Sequence, residues 1–156
     1  MQIRILSIGR NLPQWINEGF ETYAKRMPRE CALELIELDP GARVRKRSVP
    51  EKIQAEADLL RNRMEPGWLT VALDERGRSY TSPALAKSLE KWRGSGRNVQ
   101  LVIGGADGLD VAIRDKAEQC WSLSTLTLPH GLVRVLVAEQ LFRAWSILQG
   151  HPYHRQ

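Results

Sequence analysis

The chain reads as an α/β fold, a mainly parallel sheet flanked by helices, and three observations carry that expectation. Short apolar runs alternate with longer amphipathic ones from end to end, the spacing that strand–helix–strand units produce. Gly, Pro or a capping residue punctuates nearly every run, so the elements are short and separate. The 156 residues suit one domain, and a domain of this size buries roughly 70% of its unfolded surface. We therefore expect a single domain over residues 1–156.

Taken in order, Ile3 to Ile8 is a short apolar strand that Gly9 ends. Asn11 offers an N-cap with Pro13 in the first turn, opening a helix to about Met27 whose apolar stripe is Trp15, Ile16, Phe20 and Tyr23. Leu33 to Leu38 alternates in the strand manner, Leu33 and Leu35 against Glu34 and Glu37, which suits a strand with one wet edge, until Pro40-Gly41 breaks it. Arg43 to Arg47 is a dense positive run in a loop. Ser48-Val49-Pro50-Glu51 has the capping-box form and starts a helix to about Met64. Trp68 to Leu73 is a strand ending at Asp74, and Ser82-Pro83 begins a helix that stops near Gly94. Val99 to Ile103 is a fourth strand, and a short helix runs from about Asp110 to Glu118. Trp121 to Leu128 is a fifth strand or extended segment, and Leu132 to Leu148 is the longest helix.

In open parallel sheets, ligands sit beyond the carboxyl ends of the strands. Leu73-Asp74, Gly104-Gly105 and Leu126 to Pro129 are three such ends, candidates for one shared pocket. The paired glycines Gly104-Gly105 would let a ligand approach bare backbone. They are not the dinucleotide fingerprint, which normally follows the first strand, and that strand ends here in Gly9 alone.

Charge and composition narrow the partners. The balance of 23 Lys+Arg against 18 Asp+Glu gives +5, with a pI near 9.6, which favours a polyanion such as nucleic acid. Cys31 and Cys120 stand alone, without metal-like spacing or a disulfide framework, and no metal is expected. The N-terminus runs straight into a strand pattern without a signal-peptide apolar region, and no apolar run nears the roughly 20 residues of a membrane helix. These features suit a cytoplasmic protein.

The last segments concentrate unusual chemistry. The long helix is apolar around most of its circumference, a pattern that suggests a subunit interface in so small a domain. Arg134, Glu139 and Arg143 interrupt it, the last two at a spacing that lets them pair. The tail His151-Pro152-Tyr153-His154-Arg155 gathers an aromatic ring, two imidazoles and a guanidinium, groups that stack on bases and bond phosphates.

Together, Leu73-Asp74, Ile103-Gly104-Gly105-x-x-Gly108, Leu123 to His130, Val133 to Ala144 and the closing His151 to Arg155 resemble the RlmH family of SPOUT-type methyltransferases. The resemblance spans essentially the whole chain. It implies transfer of a methyl group from S-adenosylmethionine to N3 of a pseudouridine in 23S ribosomal RNA, within the assembled ribosome, by a homodimer. It also implies a deep C-terminal trefoil knot, which nothing in the hydrophobic periodicity announces. Position by position, the cofactor would be wrapped by Leu73, Gly105, Ser124, Thr125, Leu126, Thr127, Leu128 and Pro129. His130, Arg143 and Tyr153 would hold the RNA, and His154, Glu139 and Arg155 would serve catalysis.

The chemistry sets further expectations. Pseudouridine N3 is a poor nucleophile until its imide proton leaves, so a base or an anion-stabilising group is needed. His154 or Glu139 would accept the proton, and Arg155 or Arg143 would stabilise charge or grip phosphate. Arg43 to Arg47 would contact phosphates. On the residues alone, two other readings stand: a knotted methyltransferase for another RNA base, and a non-catalytic ribosome-associated RNA-binding protein.

Overall fold

The computed structural model describes residues 1–155; Gln156, the last residue of the expected domain, lies outside them. Strands β1 (Ile3–Ile8), β2 (Leu33–Leu38), β3 (Leu69–Ser79), β4 (Val99–Ile103) and β5 (Gln119–Ser122) form one sheet in the order β2-β1-β4-β3-β5. Every neighbouring pair is parallel. Helices α1 (Gln14–Ala24), α4 (Ser82–Ser95) and α6 (His130–Gln149) cover one face, and α3 (Val49–Arg63) and α5 (Val111–Lys116) cover the other. A four-residue helix α2 (Ala42–Arg45) lies between β2 and α3.

The period-2 geometry of strands sorts side chains between two cores. Ile3, Ile5, Val71, Leu73, Leu101 and Ile103 meet Phe20, Leu89, Trp92, Val137 and Leu141 on the α1–α4–α6 side. Leu6, Ile8, Ala72 and Val102 meet Ala57, Leu60 and Ile113 on the other. Covered on both faces, β4 is buried throughout, which explains its mainly apolar run. Its one polar residue, Gln100, is satisfied by Thr70 Oγ1 at 3.0 Å, the Glu65 carbonyl and the Glu65 amide. Strand β2 is a sheet edge, in keeping with its two glutamates.

Local signals set several boundaries correctly. The Ser48 capping box forms in both directions and starts α3. Asp110 caps α5 through the amides of Ala112 and Ile113.

Elsewhere tertiary structure overrides local cues. Asn11 does not cap α1, because its φ of 53° puts it in the left-handed region; the helix begins after Pro13 and ends at Ala24, not Met27. Trp15 leaves the expected stripe and is 59% exposed. The basic run is partly helical, through α2, rather than loop throughout. Strand β3 continues past Asp74 to Ser79, whereas β5 stops at Ser122 and residues 123–129 follow an irregular path. Among the described residues, no helix is long and apolar enough to cross a membrane.

Candidate functional site

A cavity of about 730 Å³ opens at the carboxyl edge of the sheet, where β3, β4 and β5 end. Its floor is apolar, from Leu73, Ile103 and Trp121. One wall is the turn after β4, Gly104 to Leu109; the opposite wall is Leu123 with Leu126 to Pro129, closed by His130 and Val133 from the first turn of α6. Of the expected cofactor residues, Leu73, Gly105, Leu126, Thr127, Leu128 and Pro129 line this one cavity. Ser124 and Thr125 stand behind the wall. The Ser124 hydroxyl accepts the Leu126 amide at 2.9 Å, and the Ser124 carbonyl accepts the Ser122 hydroxyl, so Ser124 shapes the turn rather than lining the cavity.

Residues 127 and 128 belong to no ladder or helix, which leaves their backbone polar groups uncommitted to secondary structure, whereas the Pro129 carbonyl accepts the Val133 amide at the start of α6. Leu126, 72% exposed, stands at the mouth. Gly104 and Gly105 both line the cavity, and the protein also packs closely against them. A Cβ on Gly104 would lie 2.6 Å from the Gly108 carbonyl oxygen, and one on Gly105 would lie 2.7 Å from Glu56 Oε1. Gly104 is required by backbone packing, whereas a side chain at 105 would have to displace the Glu56 carboxylate.

The remaining wall comes from an irregularity in β3. Trp121 pairs with Leu73 and again with Arg78, so residues 74–77 arch out between the two pairings. Gly77 makes the arch feasible, since a Cβ there would stand 2.6 Å from the Trp121 carbonyl carbon. The arch brings Glu75 and Arg76 to the cavity, and Thr127 Oγ1 donates across to Glu75 Oε2 at 3.4 Å. Asp74 anchors its base, accepting the Arg76 amide at 2.8 Å and lying 3.8 Å from the Arg114 guanidinium.

Arg134 fixes the start of α6. It is fully buried, and it donates to Ser7 Oγ (2.8 Å), Glu37 Oε2 (2.7 Å), the Gly9 carbonyl (2.8 Å) and the Ile8 carbonyl (3.2 Å). The carboxyl ends of β1 and β2 are thereby tied to the helix that presents His130. Burial, and then the Arg134 charge, push the His130 imidazole below its ordinary pKa, so it is neutral at pH 7.

The other expected residues form a second cluster further along α6. Glu139 takes Arg143 and the Tyr153 hydroxyl (2.9 Å) on one carboxylate oxygen and Gln140 (2.7 Å) on the other. The anticipated Glu139–Arg143 pair thus exists. Arg143 and Arg26 each sit 5.0 Å from the centre of the Tyr153 ring. Burial and the hydrogen bond to Glu139 raise the Tyr153 hydroxyl pKa, so it stays protonated. The tail is docked: the His151 amide donates to the Ser146 carbonyl at 2.9 Å, and His154 Nδ1 lies 3.1 Å from Ser146 Oγ. Arg155 is exposed. Among the described residues, Glu139, Arg143, Tyr153, His154 and Arg155 do not line the cavity. Glu139 is nine residues beyond His130, about 13.5 Å along the helix axis.

Sequence patterns alone did not single out Glu56 or the anchoring role of Arg134. The first was detectable in principle. The capping box fixes the phase of α3, and Glu56 lies one turn before buried Leu60, so an acidic residue stands on the core-facing side.

A ligand-sized cavity at the carboxyl edge of a parallel sheet defines the chain as a small α/β protein with one principal ligand site. A family model described as "Predicted SPOUT methyltransferase" matches residues 1–154, and the chain belongs to that family. Its relatives include proteins named ribosomal RNA large subunit methyltransferase H. That of Ralstonia pickettii is 52% identical over 155 residues, covering 99% of each chain, and that of Hahella chejuensis is 48% identical over the whole of both. A crystal structure of a probable methyltransferase from Bordetella pertussis Tohama I shares the fold, with a TM-score of 0.59 at 16% identity, over 91% of this chain and 95% of that one. Among the described residues, no group of three or more His, Cys, Asp or Glu is placed to hold a metal ion.

Proposed function

We propose that this chain is a cytoplasmic methyltransferase that transfers a methyl group from S-adenosylmethionine to N3 of a pseudouridine in large-subunit ribosomal RNA, within the assembled ribosome. The observation that carries the reading is the 730 Å³ cavity, walled by the segments that the family resemblance assigns to the cofactor, in a chain 52% identical to a ribosomal RNA large subunit methyltransferase H. The whole chain acts as one domain, and two copies form the working unit. The trefoil knot is inferred from family membership.

The residues present fit the cofactor. The volume falls within the roughly 300–1,000 Å³ typical of small-molecule sites. Leu73, Ile103 and Leu128 offer apolar surface for a heterocycle, and the irregular backbone at 127–128 offers donors and acceptors for its edge. When bound, the cofactor supplies an electrophilic methyl group on a sulfonium. The protein's task is orientation, worth up to about 7–11 kcal/mol in favourable cases. His130, neutral at the mouth, and Arg76 on the arch face the incoming nucleotide.

Of the two proton acceptors expected, His154 is the better base. Its Nδ1 is turned to Ser146 Oγ, which leaves Nε2 for the imide proton. The carboxylate of Glu139 is already occupied by Arg143, Gln140 and Tyr153, so Glu139 orients those groups instead. Arg155 and Arg143 supply positive charge to phosphate or to the developing anion. The test is labelled-methyl transfer from S-adenosylmethionine to ribosomes of a strain lacking the enzyme, followed by mapping of the product. Label at pseudouridine N3 of the large-subunit RNA is the expected result. Label on another base or on transfer RNA overturns the substrate assignment, and no calorimetric binding of the cofactor overturns the enzyme.

A further inference from the structure

Helix α3 reaches the 104–108 turn at two points. Lys52 Nζ lies 3.1 Å from Asp107 Oδ2, and one turn further on Glu56 sets its carboxylate against Gly105. Glu56 is only 9% exposed, and its Oε2 has no hydrogen-bond partner among the described residues. A Cβ on Gly105 would stand 2.7 Å from Oε1 and 3.0 Å from Oε2, so any other residue at 105 would have to displace this buried carboxylate.

The arrangement is costly. Burial raises the Glu56 pKa, the Gly105 backbone N–H opposes that rise, Asp107 adds to it and Lys52 opposes it. A group whose folded pKa is raised favours the folded state below its unfolded pKa and loses that contribution as pH rises. At neutral pH, the buried carboxylate therefore works against folding. An apolar or amide side chain would avoid this penalty, and a residue held at such a cost beside a ligand cavity is a candidate for function.

We infer that Glu56 is a positioning residue for the ligand-binding turn: its carboxylate holds the Gly105 peptide in the orientation the bound ligand requires, and position 105 is glycine because Glu56 is there. This inference rests on the reading of the cavity as an S-adenosylmethionine site.

The test uses the wild-type chain, Glu56→Gln, Glu56→Ala, Gly105→Ala and the double variant Glu56→Ala/Gly105→Ala. Each is measured by calorimetry with S-adenosylmethionine, by thermal unfolding and by methyl transfer. Glu56→Gln is expected to unfold at the same temperature or higher, yet to bind the cofactor about tenfold more weakly, the scale of one misaligned hydrogen bond. Its KM for the cofactor rises, while kcat at saturating cofactor stays within about twofold, the pattern of weakened binding rather than impaired chemistry. Gly105→Ala lowers stability and affinity in the wild-type background and changes neither in the Glu56→Ala background, where the clash is gone. A Gly105→Ala penalty equal in both backgrounds overturns the inference. So does a Glu56→Gln chain that keeps full affinity, or one that loses stability and affinity together. If the wild-type chain binds no S-adenosylmethionine, the reading of the cavity fails and the ligand half of the inference fails with it. The unfolding temperatures then still decide whether Glu56 excludes a side chain at position 105.

Discussion

Replacing Arg134 by Met keeps the unbranched stem and removes every donor. Three neutral acceptors lose their partner: the Ser7 hydroxyl and the Ile8 carbonyl, both buried, and the part-buried Gly9 carbonyl. At about 1 kcal/mol each, the low end for an unsatisfied buried group, they account for about 3 kcal/mol. The Glu37 ion pair adds little, because that carboxylate is 31% exposed and regains water. A loss of about 3 kcal/mol is a large share of the 5–15 kcal/mol that holds a typical domain. At roughly 3 °C per kcal/mol for a chain of this size, the unfolding midpoint falls by about 10 °C.

Urea unfolding followed by tryptophan fluorescence checks the estimate. The midpoint should drop with the denaturant slope unchanged. Glu37→Gln is the control: its amide oxygen still accepts from the guanidinium but leaves the buried charge without a counter-ion, so it is expected to cost less than Arg134→Met but more than the loss of an exposed pair. Two results would refute the reasoning: Arg134→Met within about 1 kcal/mol of the parent, or Glu37→Gln as costly as Arg134→Met. The first would mean that the strand-end carbonyls are not held by the guanidinium. The second would mean that the ion pair, not the carbonyl hydrogen bonds, carries the anchor.

Three further outcomes are expected. Neutralising Arg43, Lys46 and Arg47, all exposed, should weaken RNA binding and flatten its salt dependence, by about 0.7–0.9 in log–log slope for each phosphate no longer neutralised; an unchanged slope returns the run to a solvated surface. The depressed pKa of His130 contributes stability above its unfolded value of 6.5, and this is lost as pH falls through that value towards the folded one. The stability gap between wild type and His130→Asn, followed by chemical unfolding, should therefore shift against the wild type as pH is lowered, and a gap independent of pH would count against a buried neutral imidazole. Mixing Gly105→Trp subunits with tail-truncated subunits should restore methyl transfer in the mixed dimers; no recovery in mixed dimers shown to form and fold would count against a shared site.

The layered α/β architecture was legible because it rests on local periodicity: β4 as a mainly apolar run reported its burial directly, whereas the alternation in β2 did not set its burial. What failed was decided at a distance. Asn11 has the right side chain for a cap but a backbone of the wrong hand. The arch in β3 depends on Trp121, more than forty residues further on, and the Ser122 stop depends on the path the chain takes to reach α6. The site divided in the same way. Strand ends located the cavity, whereas Glu56 and Arg134 act through Gly105 and Gly9, which no local window contains.

The spacing along α6 bears on how many copies make one catalytic unit. His130 is at the cavity, whereas Glu139, Arg143 and the docked tail sit two to four turns beyond it. A methyl transfer has its nucleophile and electrophile about 3–3.5 Å apart. His154 docks against Ser146, sixteen residues beyond His130 and about 24 Å along the helix, so a base held there cannot serve the cavity within one chain. Either the tail cluster grips RNA remote from the chemistry, or a second copy brings its own tail to this cavity. The apolar surface favours the second arrangement. Leu132 and Leu136, one turn apart on α6, are only half-buried and lie outside both cores, and Trp15 of neighbouring α1 is exposed. Leu132, Leu136 and Trp15 are the residues a subunit interface here would cover. A twofold arrangement across it would pair each cavity with the tail of the other copy. Leu136→Asp should then yield monomers by light scattering that still bind S-adenosylmethionine but transfer no methyl group, whereas active monomers would place the whole reaction within one chain.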